Sequence, residues 1–157
     1  MKKQYRYHYD SPIGLLGIIS SETDLLSISF LGTGKPKKQE LNEIITETIN
    51  QLKEYFSGKR KYFHLKLSFE GHTSFQKGVW QALSQIPYAK TASYSEIAKK
   101  ISKEQAVRAV GNACGKNPFL IIIPCHRVLR KDGSFGGFSA GDDLKQKLLD
   151  HEYRFTK

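Results

Sequence analysis

The chain has 157 residues, 25 of them basic and 15 acidic, for a formal charge of +10, and 39% of it is apolar, with nine Phe and eight Tyr. That is enough for one domain or two small ones with a packed core, and there is no run of about eighteen apolar residues to span a membrane. No apolar stretch follows Met1-Lys2-Lys3, so the expectation is a cytoplasmic protein without a secretory signal. The charge is uneven. Residues 1–70 hold 11 basic and 8 acidic groups, net +3, and residues 71–157 hold 14 and 7, net +7. The second half is the better partner for a polyanion, of which nucleic acid is the usual one.

In chain order, residues 4–9, 15–20 and 25–31 read as strands, with Ser11-Pro12-Ile13-Gly14 as the first turn. Residues 32–38 form a polar linker. Leu41, Ile44, Ile45, Ile49, Leu52, Tyr55 and Phe56 fall on one helical face, stopped by Gly58. Phe63, Leu65, Leu67 and Phe69 alternate with His64, Lys66 and Ser68, which predicts a half-buried strand. Nothing here carries chemistry, so residues 1–70 are read as a small α/β scaffold domain and residues 71–157 as a second domain.

The second domain opens on helices. Thr73-x-x-Gln76 forms a capping box before a core stripe of Phe75, Val79, Leu83 and Ile86, and Pro87-Tyr88-Ala89-Lys90 breaks that helix. Ser93-x-x-Glu96 starts a short second helix through Ile101, and Ser102-x-x-Gln105 starts a third that ends at Gly115. Two short helices across a tight turn make a helix-turn-helix pattern, which many helical domains share. On the third helix Val107, Val110 and Cys114 form an apolar stripe, while Arg108, Gly111, Asn112 and Gly115 share another face. Such a small-residue face can lie close to a surface, with Arg108 reaching inward. The alternative is an Arg108–Glu104 pair at i, i+4.

Residues 120–129 read Leu-Ile-Ile-Ile-Pro-Cys-His-Arg-Val-Leu. The apolar run predicts a buried strand, and Pro124 cannot donate a ladder hydrogen bond, so pairing ends there. Cys125 then stands at the end of a rigid element beside two basic residues, and positive surroundings favour a thiolate. Two other readings stand beside this one. A free cysteine is commonly a small buried hydrophobe, and neighbours on a strand point to opposite faces, so His126 need not touch Cys125. The other cysteine, Cys114, is expected to be a free, inert thiol. No ligand spacing suggests a metal. Downstream lie a turn at Lys131-Asp132-Gly133 and the loop Gly136-Gly137-Phe138-Ser139-Ala140-Gly141, which lacks the ending of a phosphate loop. In a last helix from about Asp142, Glu152 lies i+4 from Leu148 and i+3 from Leu149, on the packed side, so it needs a His or Arg partner.

These pieces together resemble one family, the O6-alkylguanine-DNA alkyltransferases (methylated-DNA–protein-cysteine methyltransferases). The residues that carry the resemblance are Phe75-x-x-x-Val79-Trp80, Ile86-Pro87, Ser93-Tyr94, Arg108-Ala109-Val110-Gly111, Asn117-Pro118, Pro124-Cys125-His126-Arg127-Val128, Gly136-Gly137 and Leu148-Leu149-x-x-Glu152. The first half is similar more loosely, at Tyr55-Phe56-x-Gly58.

The resemblance implies an α/β (α+β) protein with a ribonuclease H-like N-terminal domain and a winged helix-turn-helix-like C-terminal alkyltransferase domain. It implies a monomer that works without cofactor on double-stranded DNA containing alkylated bases. It flips out O6-alkylguanine, and O4-alkylthymine as well, and moves the alkyl group to Cys125 once and irreversibly. In that scheme His126 and Glu152 form a water-linked network that takes the thiol proton, and Asn117 braces the Cys125 segment. Tyr94 pushes at the target phosphate and bonds the flipped base, and Arg108 fills the vacated stack on a helix whose Ala109 and Gly111 meet the DNA. The backbone of Cys125 and Val128, with Ser139, forms the base-recognition edge. Ala89 and Ser95 stand where relatives often have Gly, and Phe138 where they usually have Tyr. The zinc cysteines of some relatives are absent, and Cys125 is not the Trp of the non-catalytic alkyltransferase-like proteins. Two other classes compete: a non-catalytic helix-turn-helix protein that binds damaged or regulatory DNA, and a cysteine hydrolase, which needs a touching Cys/His pair and an oxyanion hole.

Overall fold

The computed structural model describes residues 3–136 and 141–156. The contacts divide the chain into two units, Met1–Glu70 with Pro118–Leu120, and Gly71–Asn117 with Ile121–Lys157.

In the first unit the strands β1 (Tyr5–Ser11), β2 (Gly14–Ser20) and β3 (Leu25–Gly32) form an antiparallel meander in the order β1-β2-β3. Gly14 holds the first turn at φ +125°, a conformation that suits a residue without a Cβ. Helix α1 (Glu43–Phe56) starts at Asn42, whose side chain accepts the Ile45 N–H, and it buries Ile45, Ile49, Leu52 and Tyr55.

The strand expected at Phe63–Phe69 is not formed. Its side chains alternate in burial, and Phe63 and Phe69 pack on Tyr55 and Phe119 with ring centroids 5.6 and 5.7 Å apart. The backbone, however, meets β3 at a single bridge, Leu25 with Leu67. The backbone of His64 is bonded by the Gln51 side chain instead of a neighbouring strand, at 2.9 and 3.0 Å. Alternation reports which side chains are covered, and here a side-chain amide stands in for the ladder.

The second unit begins with α2 (Ser74–Leu83), which carries the Thr73–Gln76 capping box. A two-residue strand β4 (Ala92–Ser93) leads into α3 (Tyr94–Lys100), capped by Ser93 and Glu96. Helix α4 (Val107–Gly115) follows, completing the helix-turn-helix. The third helix does not start at Ser102 as expected. Ser102 has φ +60° and donates its N–H to Lys99 O, so it closes α3, and α4 begins at Ala106 without a side-chain cap. Strand β5 (Val128–Leu129) pairs in parallel with β4, and an isolated bridge joins Leu129 to Phe135. Helix α5 (Asp142–Arg154) buries Leu144, Lys145, Leu148 and Glu152.

Residues 120–123 are not a strand either. Ile28 N–H donates to Pro118 O and Leu120 N–H to Ile28 O, so this segment meets β3 only around Phe119. Ile121 then takes φ +71°, which turns the chain. Pro124 leads into a short 3-10 helix, Cys125–Arg127. Leu120, Ile121 and Ile123 are buried as expected.

Candidate active site

The 3-10 helix puts three consecutive polar side chains into the interior. Cys125, His126 and Arg127 are all buried. Asn117, just past α4, donates from Nδ2 to Ile123 O at 2.8 Å and to Cys125 Sγ at 3.2 Å. One amide thus ties the approach to the cysteine and its sulfur together. Both cysteines are free thiols.

Glu152 reaches the same place from α5. His126 Nε2 lies 2.6 Å from Glu152 Oε2, and Arg127 grips the carboxylate with Nε and Nη2 at 2.8 and 3.0 Å. Arg127 Nη1 also donates to Ile86 O, and Ala89 N–H donates to Glu152 Oε1 at 3.1 Å. Ala89 makes that contact at φ +61°, where a Cβ is strained. Burial pushes the Glu152 carboxyl up, but His126 and Arg127 outweigh it and hold it well below the usual carboxylate range. Burial also lowers the His126 imidazole, against the pull of Glu152, so the ring rests neutral. Its proton sits on Nε2, facing the carboxylate, which leaves the lone pair on Nδ1. That atom is buried and has no hydrogen-bond partner among the described residues.

The sequence neighbours of Cys125 place no cationic group on its sulfur. Arg127 and His126 turn to Glu152, and burial raises the Cys125 thiol above its ordinary value, opposed by the Asn117 hydrogen bond and by Lys145. The thiol rests protonated. The cation whose charge lowers the thiol is Lys145, fully buried on α5, and the sequence reading missed it. The signal was present, since Lys145 lies on the stripe of Leu148 and Glu152, three and seven residues away.

On the outer side of the unit, Tyr94, Val107, Arg108, Gly111, Asn112, Gly115, Lys116, Arg130 and Gly136 line a cleft of about 830 Å³. The small-residue face of α4 is its floor. Among the described residues no ion pair links Arg108 to Glu104, and Arg108 is exposed. Ala109 is exposed on α4 but does not line the cleft. Burial pushes the Tyr94 hydroxyl up to about 12, so it stays protonated at neutral pH. A Cβ on Gly136 would overlap the Tyr94 ring and hydroxyl, so glycine is required there. Lys116 and Arg130 are cations at the cleft that the sequence did not single out. Val128 is buried, and its carbonyl accepts from Lys145 Nζ. Ser139 and Phe138 lie outside the described residues.

Two family models match the chain: the DNA-binding domain of 6-O-methylguanine DNA methyltransferase over residues 74–154, and its ribonuclease-like domain over residues 4–69. The chain belongs to the 6-O-methylguanine DNA methyltransferase family. The methylated-DNA–protein-cysteine methyltransferase of Methanosarcina barkeri is 46% identical over 146 residues, 89% of this chain and 91% of that protein. The crystal structure of Mycobacterium tuberculosis O6-methylguanine methyltransferase superposes with a TM-score of 0.86 at 37% identity, covering 97% of this chain and 94% of that one. The structure of M. tuberculosis OGT in complex with DNA gives 0.85 at 38% identity, covering 94% and 92%. As in the other methyltransferases of this family, the architecture is mixed, a small sheet domain followed by a helical one.

Proposed function

We propose that this chain is a single-turnover DNA repair protein that takes an O6-alkylguanine out of duplex DNA and moves its alkyl group onto Cys125. The observation that carries the reading is the buried thiol held by Asn117 next to the His126–Glu152–Arg127 network, whose one unpartnered atom is the proton acceptor His126 Nδ1. A thiol inside a protein cannot reach a stacked base, so the base must be extruded. The cleft supplies the means: Tyr94 meets the backbone and the base, Arg108 occupies the stack, and Gly111 lets α4 approach. The non-catalytic DNA-binding alternative uses the cleft but leaves the organised thiol without a role.

The chemistry follows from the groups present. The thiol proton passes through a bridging water to Nδ1, and Glu152, kept ionised by Arg127, stabilises the imidazolium. Sγ attacks the alkyl carbon as the carbon–O6 bond breaks. The bonding electrons stay on the base, which picks up a proton at N1 and leaves as guanine. The backbone of Val128 and Cys125, with Ser139, forms the recognition edge, and O4-alkylthymine presents a similar leaving oxygen. The product is a thioether, which water does not cleave, so each chain acts once, with no cofactor taking part.

Residues 71–157 carry this activity and residues 1–70 are scaffold. Among the described residues no helix is long and apolar enough to cross a membrane, and we place the protein in the cytoplasm as a monomer. The test is peptide mass mapping after reaction with excess methylated duplex. One methyl per chain, on Cys125 alone, and none in Cys125→Ser is expected. More than one equivalent, or uptake by Cys125→Ser, would overturn the reading.

A further inference from the structure

The face that α4 turns to the cleft is not explained by packing within the described residues. Arg108, Gly111, Asn112 and Gly115 all line that cleft. A Cβ on Gly115 would meet nothing within 4 Å, and one on Gly111 would make only an ordinary contact with the Tyr94 ring at 3.9 Å. Neither glycine holds a positive φ. Alanine would therefore fit at both positions and would favour the helix. Asn112, in the interior of the nine-residue α4, is also a poor helix former, because its amide competes with the backbone for hydrogen bonds. It is exposed and makes no hydrogen bond to a described residue. The nearby amide of Asn117, by contrast, is committed to Ile123 O and Cys125 Sγ.

We propose that Asn112 is a specificity-determining residue of the alkyl transfer, whose amide reads a purine edge in the base pair beside the extruded base. This rests on the reading of the cleft as the place where the duplex gives up its base.

The placement follows from Arg108, which occupies the vacated stack. Arg108 and Asn112 stand at i, i+4 on one helix face, where Cβ atoms are about 5–6 Å apart. Stacked base pairs are about 3.4 Å apart. A side chain one turn from Arg108 therefore meets a neighbouring pair and not the gap itself. The amide offers an acceptor oxygen beside a donor NH2. A purine edge shows the matching pair: N7 with the N6 amino group on adenine in the major groove, or N3 with the N2 amino group on guanine in the minor groove. Lys116 and Arg130, the cations at the cleft, suit phosphates, which carry no sequence information.

The experiment follows single-turnover transfer to Cys125 by mass, on duplexes that carry one O6-methylguanine and differ only in the pair on its 5′ or 3′ side. Wild-type protein and Asn112→Ala are compared, and denaturation midpoints establish that both are folded. The readout is the wild-type-to-variant rate ratio on each duplex, because the cost of deforming a given sequence is common to both proteins and cancels. The ratio should vary by about fivefold or more across the flanks, the discrimination of one good base contact. A ratio constant within about twofold overturns the proposal. At the favoured flank the contacted group is then removed. Inosine in place of guanine deletes the N2 amino group, and 7-deazaadenine in place of adenine deletes N7. One of the two should bring the ratio down to that of the least favoured flank and so tell which groove is read. A ratio untouched by either replacement also overturns the proposal.

If Asn112→Ala does not fold, Asn112→Asp takes its place in the same ratios, since it keeps the size and loses the donor, and its repulsion of phosphates is common to every flank. A wild-type protein that takes no alkyl group onto Cys125 from any duplex fails the functional reading itself. A constant ratio in an active wild-type protein strikes only the role of Asn112.

Discussion

Around Cys125 the charged groups are buried and bonded to one another: Glu152 to His126 and Arg127, Lys145 to the Val128 carbonyl. On the outer face the cations Arg108 of α4, Lys116 just past it and Arg130 after β5 are exposed at an open cleft. Tyr94 belongs to both regions, lining the cleft while its ring lies near the Lys145 ammonium. The protein divides its work between the two regions. A group that must lose or take a proton is held where water does not compete, because the interior strengthens every charge interaction. A group that must find DNA stays in solvent, where long side chains cost little to present and salt sets their strength.

The comparison is broken most severely at Glu152. In Glu152→Ala the Arg127 charge is left buried without its partner, which costs about 3–5 kcal/mol. A denaturation midpoint close to wild type would show that the network is not the keystone of the buried region. Glu152→Gln, which keeps the shape and one acceptor, should lose less.

Acid should weaken the buried region while sparing the cleft. The folded protein holds His126 below its ordinary pKa, so below about pH 6.5 the unfolded chain binds a proton that the native chain refuses. Stability then falls by about 1.4 kcal/mol per pH unit as pH drops. Glu152, held down when folded, adds to the loss only at lower pH, once the unfolded carboxyl protonates. Denaturant titrations at pH 7, 6 and 5 read this directly, and a flat response contradicts the buried neutral histidine.

Arg108→Ala tests the open region. The rate on duplex DNA should fall about tenfold or more, while the rate on free O6-benzylguanine stays within about twofold, because only the duplex needs its gap filled. Equal losses on both would move Arg108 from the cleft's work to that of the core.

The smallest effect belongs to Cys114, a thiol as buried as Cys125 but without its machinery. Burial pushes it up to about 12, with Cys125 adding to the shift. Cys114→Ser should keep full methyl uptake and lose about 1 kcal/mol of stability for the buried hydroxyl. A clear drop in uptake would show that the two thiols act together.

Much of this was legible in the chain. The Thr73 and Ser93 caps, the meander of the first unit and the common face of Arg108 and Gly111 follow from local rules, since each depends on residues within a turn or two. The need of Glu152 for a basic partner followed from its place on the apolar face of α5. The carbons of Phe63, Leu65 and Leu67 announced their burial, but not whether another backbone would lie alongside, and the ladder is absent. The apolar run before Pro124 likewise told of burial and not of pairing, and Ile121 turns left-handed inside it.

What the sequence determined by itself was the set of parts: a thiol after a proline, a histidine beside it, a carboxylate and a lysine on one helical stripe. Only the tertiary structure decided which charge serves which group. Sequence neighbours suggested that Arg127 and His126 would activate Cys125, yet both turn to Glu152, twenty-five and twenty-six residues away. The charge that favours ionisation of the thiol comes instead from Lys145 on α5. The reason is physical: electrostatic energy depends on distance in space and on exclusion of water, and neither is written in the spacing of residues along a chain.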